Sequence, residues 1–258
     1  MSTDALPAPR RFVELRDFRF RIWPIIAGGL LMEGLLRLGR VPAWWLWHQG
    51  TPDWGQRPWI YVGAATLIQA LIGVIVIALM KRFLPQADAH LRWPARGRSM
   101  AGLAVMIGVF MGLVMLAADY WPSLFTHTVP SDYPVDPVNA SGWLFSMGVT
   151  GFAEEPLFRG FLLGALAVLV PGRLRIGALD LPVAAYFVAL IFGVMHWQSF
   201  LTNPLHLAIA QQIYAFAWGL VYAWLMERTN SLVAPIIAHG VGDFTEVGLV
   251  MLMTATLA

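Results

Sequence analysis

Gly151-Phe-Ala-Glu-Glu-Pro-Leu-Phe-Arg-Gly160 sets two adjacent carboxylates, a proline and an arginine in the middle of an apolar run from Trp143 to Val170. A run of that length reads as a membrane helix. Ionisable groups at bilayer depth are costly, so by default they face the protein interior and mark function. On a helix Glu155 and Arg159 lie four residues apart, share a face and can neutralise each other. Glu154 points roughly 100° away from that pair and has no sequence-local partner. Pro156 cannot donate a backbone hydrogen bond, so it should start a helix or kink one beside Glu154. Just beyond, Gly160 and Gly164 form a small-xxx-small pattern that lets a neighbouring helix come close.

The rest of the chain has the same character. Of its 258 residues, 58% are hydrophobic and 12% charged, about half the charge of a soluble domain. Apolar segments at Ile22–Leu38, Ile60–Met80, Met100–Ala118, Trp143–Val170, Leu181–Trp197, Leu205–Met226 and Leu232–Leu257 approach or exceed the roughly 20 residues that cross a bilayer. The expected fold is all-α: a polytopic transmembrane bundle of about seven helices (six to eight), with a buried polar site. The apolar runs are too long, and alternate too little, for barrel strands. Residues 22–258 read as one domain, because no polar linker divides them. Glu33 and Arg37, four apart in the first span, should form a structural ion pair.

Residues 1–21 carry Arg10, Arg11, Arg16, Arg19 and Arg21 interleaved with apolar residues. They read as a basic amphipathic helix lying on an anionic leaflet rather than as a cleavable signal. Lys81, Arg82, Arg92, Arg96 and Arg98 repeat the basic signal after the second span, and Arg173, Arg175 and Arg228 follow later ones. The segment from Trp121 to Ala140 holds only Asp132 and Asp136 as charges. Arg40 and Arg57, in the first external loop, run against this trend. The bias places the N-terminus in the cytoplasm and the protein in the plasma (inner) membrane. It calls for membrane lipids as partners, not nucleic acid. Trp44, Trp45, Trp47, Trp54 and Trp59 fit an interfacial belt. The absence of cysteine removes disulfides, thiolate ligands and cysteine nucleophiles.

Two later spans add ionisable groups. His196 ends the run Phe192-Gly-Val-Met-His196. His239, Asp243 and Glu246 fall on one helical stripe at i, i+4 and i+7. His206, in a loop region, attracts less interest. Together Glu154, His196, His239 and Asp243 supply the parts for activating a water against a buried carbonyl: a base, and donors for the developing oxyanion.

The three motifs resemble those of the CPBP group of intramembrane proteases, the CAAX prenyl protease type II and bacteriocin-processing (Abi) family. Glu154-Glu155-Pro-Leu-Phe-Arg159, Phe192-Gly-Val-Met-His196 and Ala234-Pro-Ile-Ile-Ala-His239-Gly-Val-Gly-Asp243 occur in that family's order. The resemblance implies a glutamate-dependent endopeptidase acting on a membrane-associated peptide or protein, prenylated or not. In it Glu154 and His196 activate the water, and His239 and the Asp243 position face the oxyanion. Glu155, Arg159 and Phe192 support them. No cofactor is required on this reading; the alternative is a zinc site of Glu154, His196 and His239. Asp243 departs from the Asn form, and an ionised aspartate cannot donate to an oxyanion.

Other readings are weaker. Gly240-Val-Gly-Asp243 matches half of an aspartyl intramembrane protease, but Asp119-Tyr120 has the reverse of the required Tyr-Asp order. Asn139-Ala-Ser141-Gly142 lacks the first glycine of a rhomboid-type serine motif. A proton-coupled transporter or a non-catalytic scaffold would also hold buried Glu, His and Asp. One geometric demand follows from the protease reading. At 1.5 Å per residue, Glu154 and His196 lie about 25 and 22 Å from the basic ends of their spans, but His239 only about 12 Å from Ser231. Convergence therefore requires other span boundaries, tilted helices, or a turn around Glu227 and Arg228 that dips below the surface, and the expectation is the last two.

Overall fold

The computed structural model describes residues 12–128 and 134–257. Among the described residues five helices are long and apolar enough to cross a membrane: Ile22–His48 (α1), Trp59–Phe83 (α2), Ala101–Thr126 (α3, apolar through Ser123), the Val183–Thr202 segment, and Val233–Leu257 (α10). Within Val183–Thr202 the structure distinguishes Val183–Val194 (α7) and Ser199–Thr202 (α8), and Leu205–Thr229 (α9) follows. The bundle is all-α and polytopic, as the composition requires.

The stretch expected as one long fourth span is broken. Pro137–Gly148 (α4) ends at Val149, and Thr150–Glu155 (α5) stops at Pro156. A π-helical segment Pro156–Leu163 then leads into Gly164–Leu169 (α6). Pro156 lacks the N–H that the preceding turn needs, so the ladder shifts to wider π spacing at that residue. Asp136 caps α4, its side chain accepting from the N–H groups of Val138 and Asn139.

Strands are not wholly absent. Val13–Arg16 (β1), Arg173–Ile176 (β2) and Leu179–Pro182 (β3) form a small antiparallel sheet in that order. This corrects the amphipathic helix expected over residues 1–21: among the described residues 12–21, residues 13–16 are extended. The Phe12-Val13-Glu14-Leu15-Arg16 alternation suits a strand, and cross-strand pairs reward it. Arg175 lies 3.0 Å from Glu14, and Arg16 2.8 Å from Asp180. Arg10, Arg11 and Asp132 lie outside the described residues.

The Gly160–Gly164 pattern admits a loop as well as the expected helix: a Cβ on Gly160 would stand 2.9 Å from the Ile77 side chain of α2. A Cβ on Gly164 would stand 2.5 Å from the Asp88 carbonyl, so the Leu84–Met100 segment presses directly onto this helix. The same segment covers the α9–α10 turn. His90 Nδ1 is 2.8 Å from Asn230 Oδ1, Leu232 N–H donates to the His90 carbonyl, and the Ser231 hydroxyl donates to the Arg92 carbonyl. Thr229, Ser231 and Leu232 are buried beneath it. The turn thus follows Thr229 rather than falling at Glu227 and Arg228, which stay within α9, and it is covered by protein.

Candidate active site

Three elements meet at the site: α5 with the π segment, the C-terminal end of α7, and the first half of α10. Glycines let them touch. A Cβ on Gly151 would stand 2.4 Å from the Ile236 carbonyl, and one on Gly240 would stand 2.5 Å from the Gly148 carbonyl. Backbone lies on backbone at this crossing, which brings Glu154 and Glu155 alongside His239.

The Glu155–Arg159 pair is present and completely buried, with Arg159 Nη1 donating to Glu155 Oε1 at 3.1 Å. Its further role was not apparent from spacing. The same Glu155 oxygen lies 2.8 Å from His239 Nδ1, so it accepts a proton held on that nitrogen and fixes the ring. Tyr222 stacks on the imidazole at 4.9 Å with planes 13° apart. Nε2 is left facing Glu154 Oε2 at 3.9 Å and Asp243 Oδ2 at 3.5 Å. Glu154 and His239 thus share a site, well inside the roughly 10 Å that a shared water allows.

His196 sits at the end of α7, with Nδ1 2.9 Å from the Phe192 carbonyl, which leaves Nε2 available. Phe192 packs edge-on against both histidines, at 5.2 Å from His196 and 6.0 Å from His239. The Arg159 guanidinium lies 4.5 Å over its ring, a favourable stacking in a desolvated setting. Phe192 is thus the spacer that holds the two histidines and the arginine in register.

Glu154, His196, His239 and Asp243 all line one cavity of about 370 Å³, while Glu155 and Arg159 stay behind the wall. His206 is exposed at the start of α9 and takes no part. Thr150 also lines the cavity. Its hydroxyl is 2.6 Å from Asp243 Oδ2 and 2.7 Å from the Met147 carbonyl. Asp119, Tyr214 and Glu246 extend the cavity away from the histidines, and Tyr214 donates toward Asp119 Oδ2 at 3.2 Å. The sequence offered a sign for Glu246, on the His239–Asp243 stripe, but none for Thr150 or Tyr214. Arg40 needs correcting: it lies within α1 and lines the cavity rather than sitting in an external loop.

Among the described residues, no three His, Asp or Glu side chains are arranged to hold a metal ion. His239 Nδ1 is already engaged by Glu155, and His196 Nδ1 by the Phe192 carbonyl. Those contacts leave Nε2 of both rings free, the arrangement in which a histidine could also ligate zinc beside Glu154.

Residues 137–245 match the family model of Rce1-like type II CAAX prenyl endopeptidases. The match covers 109 of the 258 residues and supports the resemblance to the CAAX-type proteases over that span. The matched span runs from the first residue of α4 through Asp243 and contains every buried ionisable residue of the Glu154–His239 cluster. No curated protein gives a significant match. The match and the five long apolar helices together support an integral membrane protease of the CAAX type.

Proposed function

We propose that the protein hydrolyses a peptide bond of a membrane-associated, prenylated substrate with a water activated by Glu154 and His196, and without a cofactor. The observation that carries this is the shared cavity. Glu154, which accepts no hydrogen bond from the described residues, faces a histidine whose ring is held by a second, buried carboxylate. In this reading Glu154 takes the proton from water as it attacks the scissile carbonyl, and returns it to the leaving amine. His196 Nε2 accepts the water's second hydrogen bond and aims it.

His239 and Asp243 stabilise the oxyanion. For that role both His239 nitrogens carry protons, Nδ1–H bound by Glu155 and Nε2–H aimed into the cavity. Asp243 must also be a donor. Thr150 has a single hydroxyl proton, yet two acceptors stand within 2.7 Å of its oxygen. Thr150 gives that proton to Asp243 Oδ2, so a neutral Asp243 carries its own proton on Oδ1 and offers it to the oxyanion. Asp243 then behaves as the neutral side chain that its position calls for. The Lys and Arg bias supports a cytoplasmic position for the sheet, with β1 and β2, at the plasma membrane.

The test is mass-spectrometric mapping of products from a farnesylated peptide incubated with purified wild type, Glu154→Gln and His196→Ala, with and without chelator. Internal cleavage by wild type alone, indifferent to chelator, is the expected result. Chelator-sensitive cleavage restored by zinc, or cleavage by Glu154→Gln, would overturn the proposed chemistry.

A further inference from the structure

A second depression, of about 380 Å³, shares no residue with the catalytic cavity and lies between the β2–β3 hairpin and the last turns of α9. Its wall carries Arg173, Arg175 and Asp180 from the hairpin, and Trp224, Glu227 and Arg228 from the helix. Three helices end around it: α6 stops at Leu169, α7 starts at Val183 directly after β3, and α9 closes at Thr229. Helix α7 opens a segment long and apolar enough to cross the membrane. The depression therefore sits at the level where hydrocarbon gives way to headgroups.

Most of the charge here is already matched. Arg173 donates through Nε to Asp180 Oδ1 and through Nη1 to Glu227 Oε2, both at 3.1 Å. Asp180 also accepts from Arg16 at 2.8 Å, and Glu14 accepts from Arg175 at 3.0 Å. Three guanidiniums thus face three carboxylates across this network, and their charges cancel. Arg228 is left over. It is exposed, its guanidinium lies 5.8 Å over the Trp224 ring, and among the described residues it has no ion pair or hydrogen bond. An indole face attracts a cation without occupying any of its donors. The five N–H groups of Arg228 therefore stay available, in a planar fork that fits a phosphate bidentately.

We infer that this depression binds the phosphodiester of an anionic phospholipid, with Arg228 as its principal ligand. At headgroup depth the phosphodiester is the anion that every phospholipid supplies, and its single negative charge matches the one surplus cation. A zwitterionic headgroup fits less well. It brings an ammonium group of its own, and the carboxylates that could receive it, Asp180 and Glu227, are already held by Arg173. A bound anionic headgroup would tie the hairpin that leads into α7 to the end of α9, at a juxtamembrane basic site of the kind that attracts anionic lipid. The inference rests on the membrane-spanning fold and is independent of the catalytic chemistry.

The experiment is native mass spectrometry of the delipidated full chain in detergent, titrated with phosphatidylglycerol or with phosphatidylcholine, reading the Kd of the first bound lipid. The expected result is about fivefold tighter binding of phosphatidylglycerol, the effect of one arginine near a membrane surface. That preference should vanish in Arg228→Gln and return in part in Arg228→Lys, which also controls for folding. It should persist in Arg98→Gln, which removes an exposed arginine of the α2–α3 connection. Equal binding of the two lipids, or a preference that survives Arg228→Gln, would overturn the inference. A preference lost equally in Arg98→Gln would assign it to diffuse surface charge and reject the site. Inorganic phosphate, added at the concentration of the lipid, should leave the bound phosphatidylglycerol in place. Displacement by it would give the depression to free phosphate and reject the lipid as ligand.

Discussion

His239 Nδ1 and Glu155 Oε1, 84 residues apart in the chain, stand 2.8 Å from each other, on the same oxygen that receives Arg159. The second glutamate of the motif thus orients a histidine, and the arginine holds that glutamate. Glu155→Gln should keep the fold but lower kcat by about 10²-fold or more, as happens when a catalytic imidazole loses its orienting carboxylate. Because Glu155 does not reach the cavity, KM should change little. A Glu155→Gln enzyme with near-normal kcat would reduce the pair to packing.

Arg159→Met should act mainly on stability. It leaves the Glu155 carboxylate buried at 0% exposure without its cation, a loss of about 3–5 kcal/mol. Thermal unfolding in detergent is the readout. A variant as stable as wild type would mean that the pair is not needed to keep Glu155 buried.

Asp243→Asn should retain activity to within about tenfold, since an amide donates as a protonated carboxyl does. Asp243→Ala, which removes the donor, should lose about 10²–10³-fold in kcat, the usual effect of deleting an oxyanion donor. Asp119→Asn should leave kcat near the wild-type value, although Asp119 lines the same cavity. If Asp119→Asn and Asp243→Asn were both inactive, an aspartyl dyad would replace the present account.

The sheet makes a pH-dependent contribution. Partial burial pushes the Asp180 carboxyl up, but hydrogen bonds from Arg173 and Arg16 outweigh it and hold the group below its ordinary 3.8. A depressed carboxylate stabilises the folded state fully above its unfolded pKa, and that contribution disappears as pH falls through the folded value. Asp180→Asn should therefore lower the unfolding temperature at pH 7 but not at pH 2. The effect should stay below about 1 kcal/mol, because these side chains are more than one-third exposed. A larger loss at pH 2 than at pH 7 would contradict the assignment.

Much of the site was legible because membrane burial makes ionisable residues stand out against an apolar background. Glu154, His196, His239 and Asp243 drew notice for that reason, and the mismatch in their depths pointed to a sunken α9–α10 turn. What escaped the sequence depends on contacts between distant segments. Thr150 is an ordinary polar residue until α10 brings Asp243 to it. Gly164 reads as a helix-packing residue until the Leu84–Met100 segment lies on it. Residues 13–16 become a strand because β2, some 160 positions later, offers the partner. Arg40 looked external because a hydropathy boundary at Leu38 hid the further turns of α1.

The central claim is that Glu154 activates the attacking water, and single-turnover cleavage tests it most directly. A farnesylated peptide, saturating enzyme, and wild type compared with Glu154→Gln give the rate of the chemical step, while fluorescence anisotropy gives Kd for both proteins. The account predicts a chemical step slowed by about 10²-fold or more with Kd within a few-fold of wild type. An unchanged rate, or a loss explained wholly by weaker binding, would contradict it.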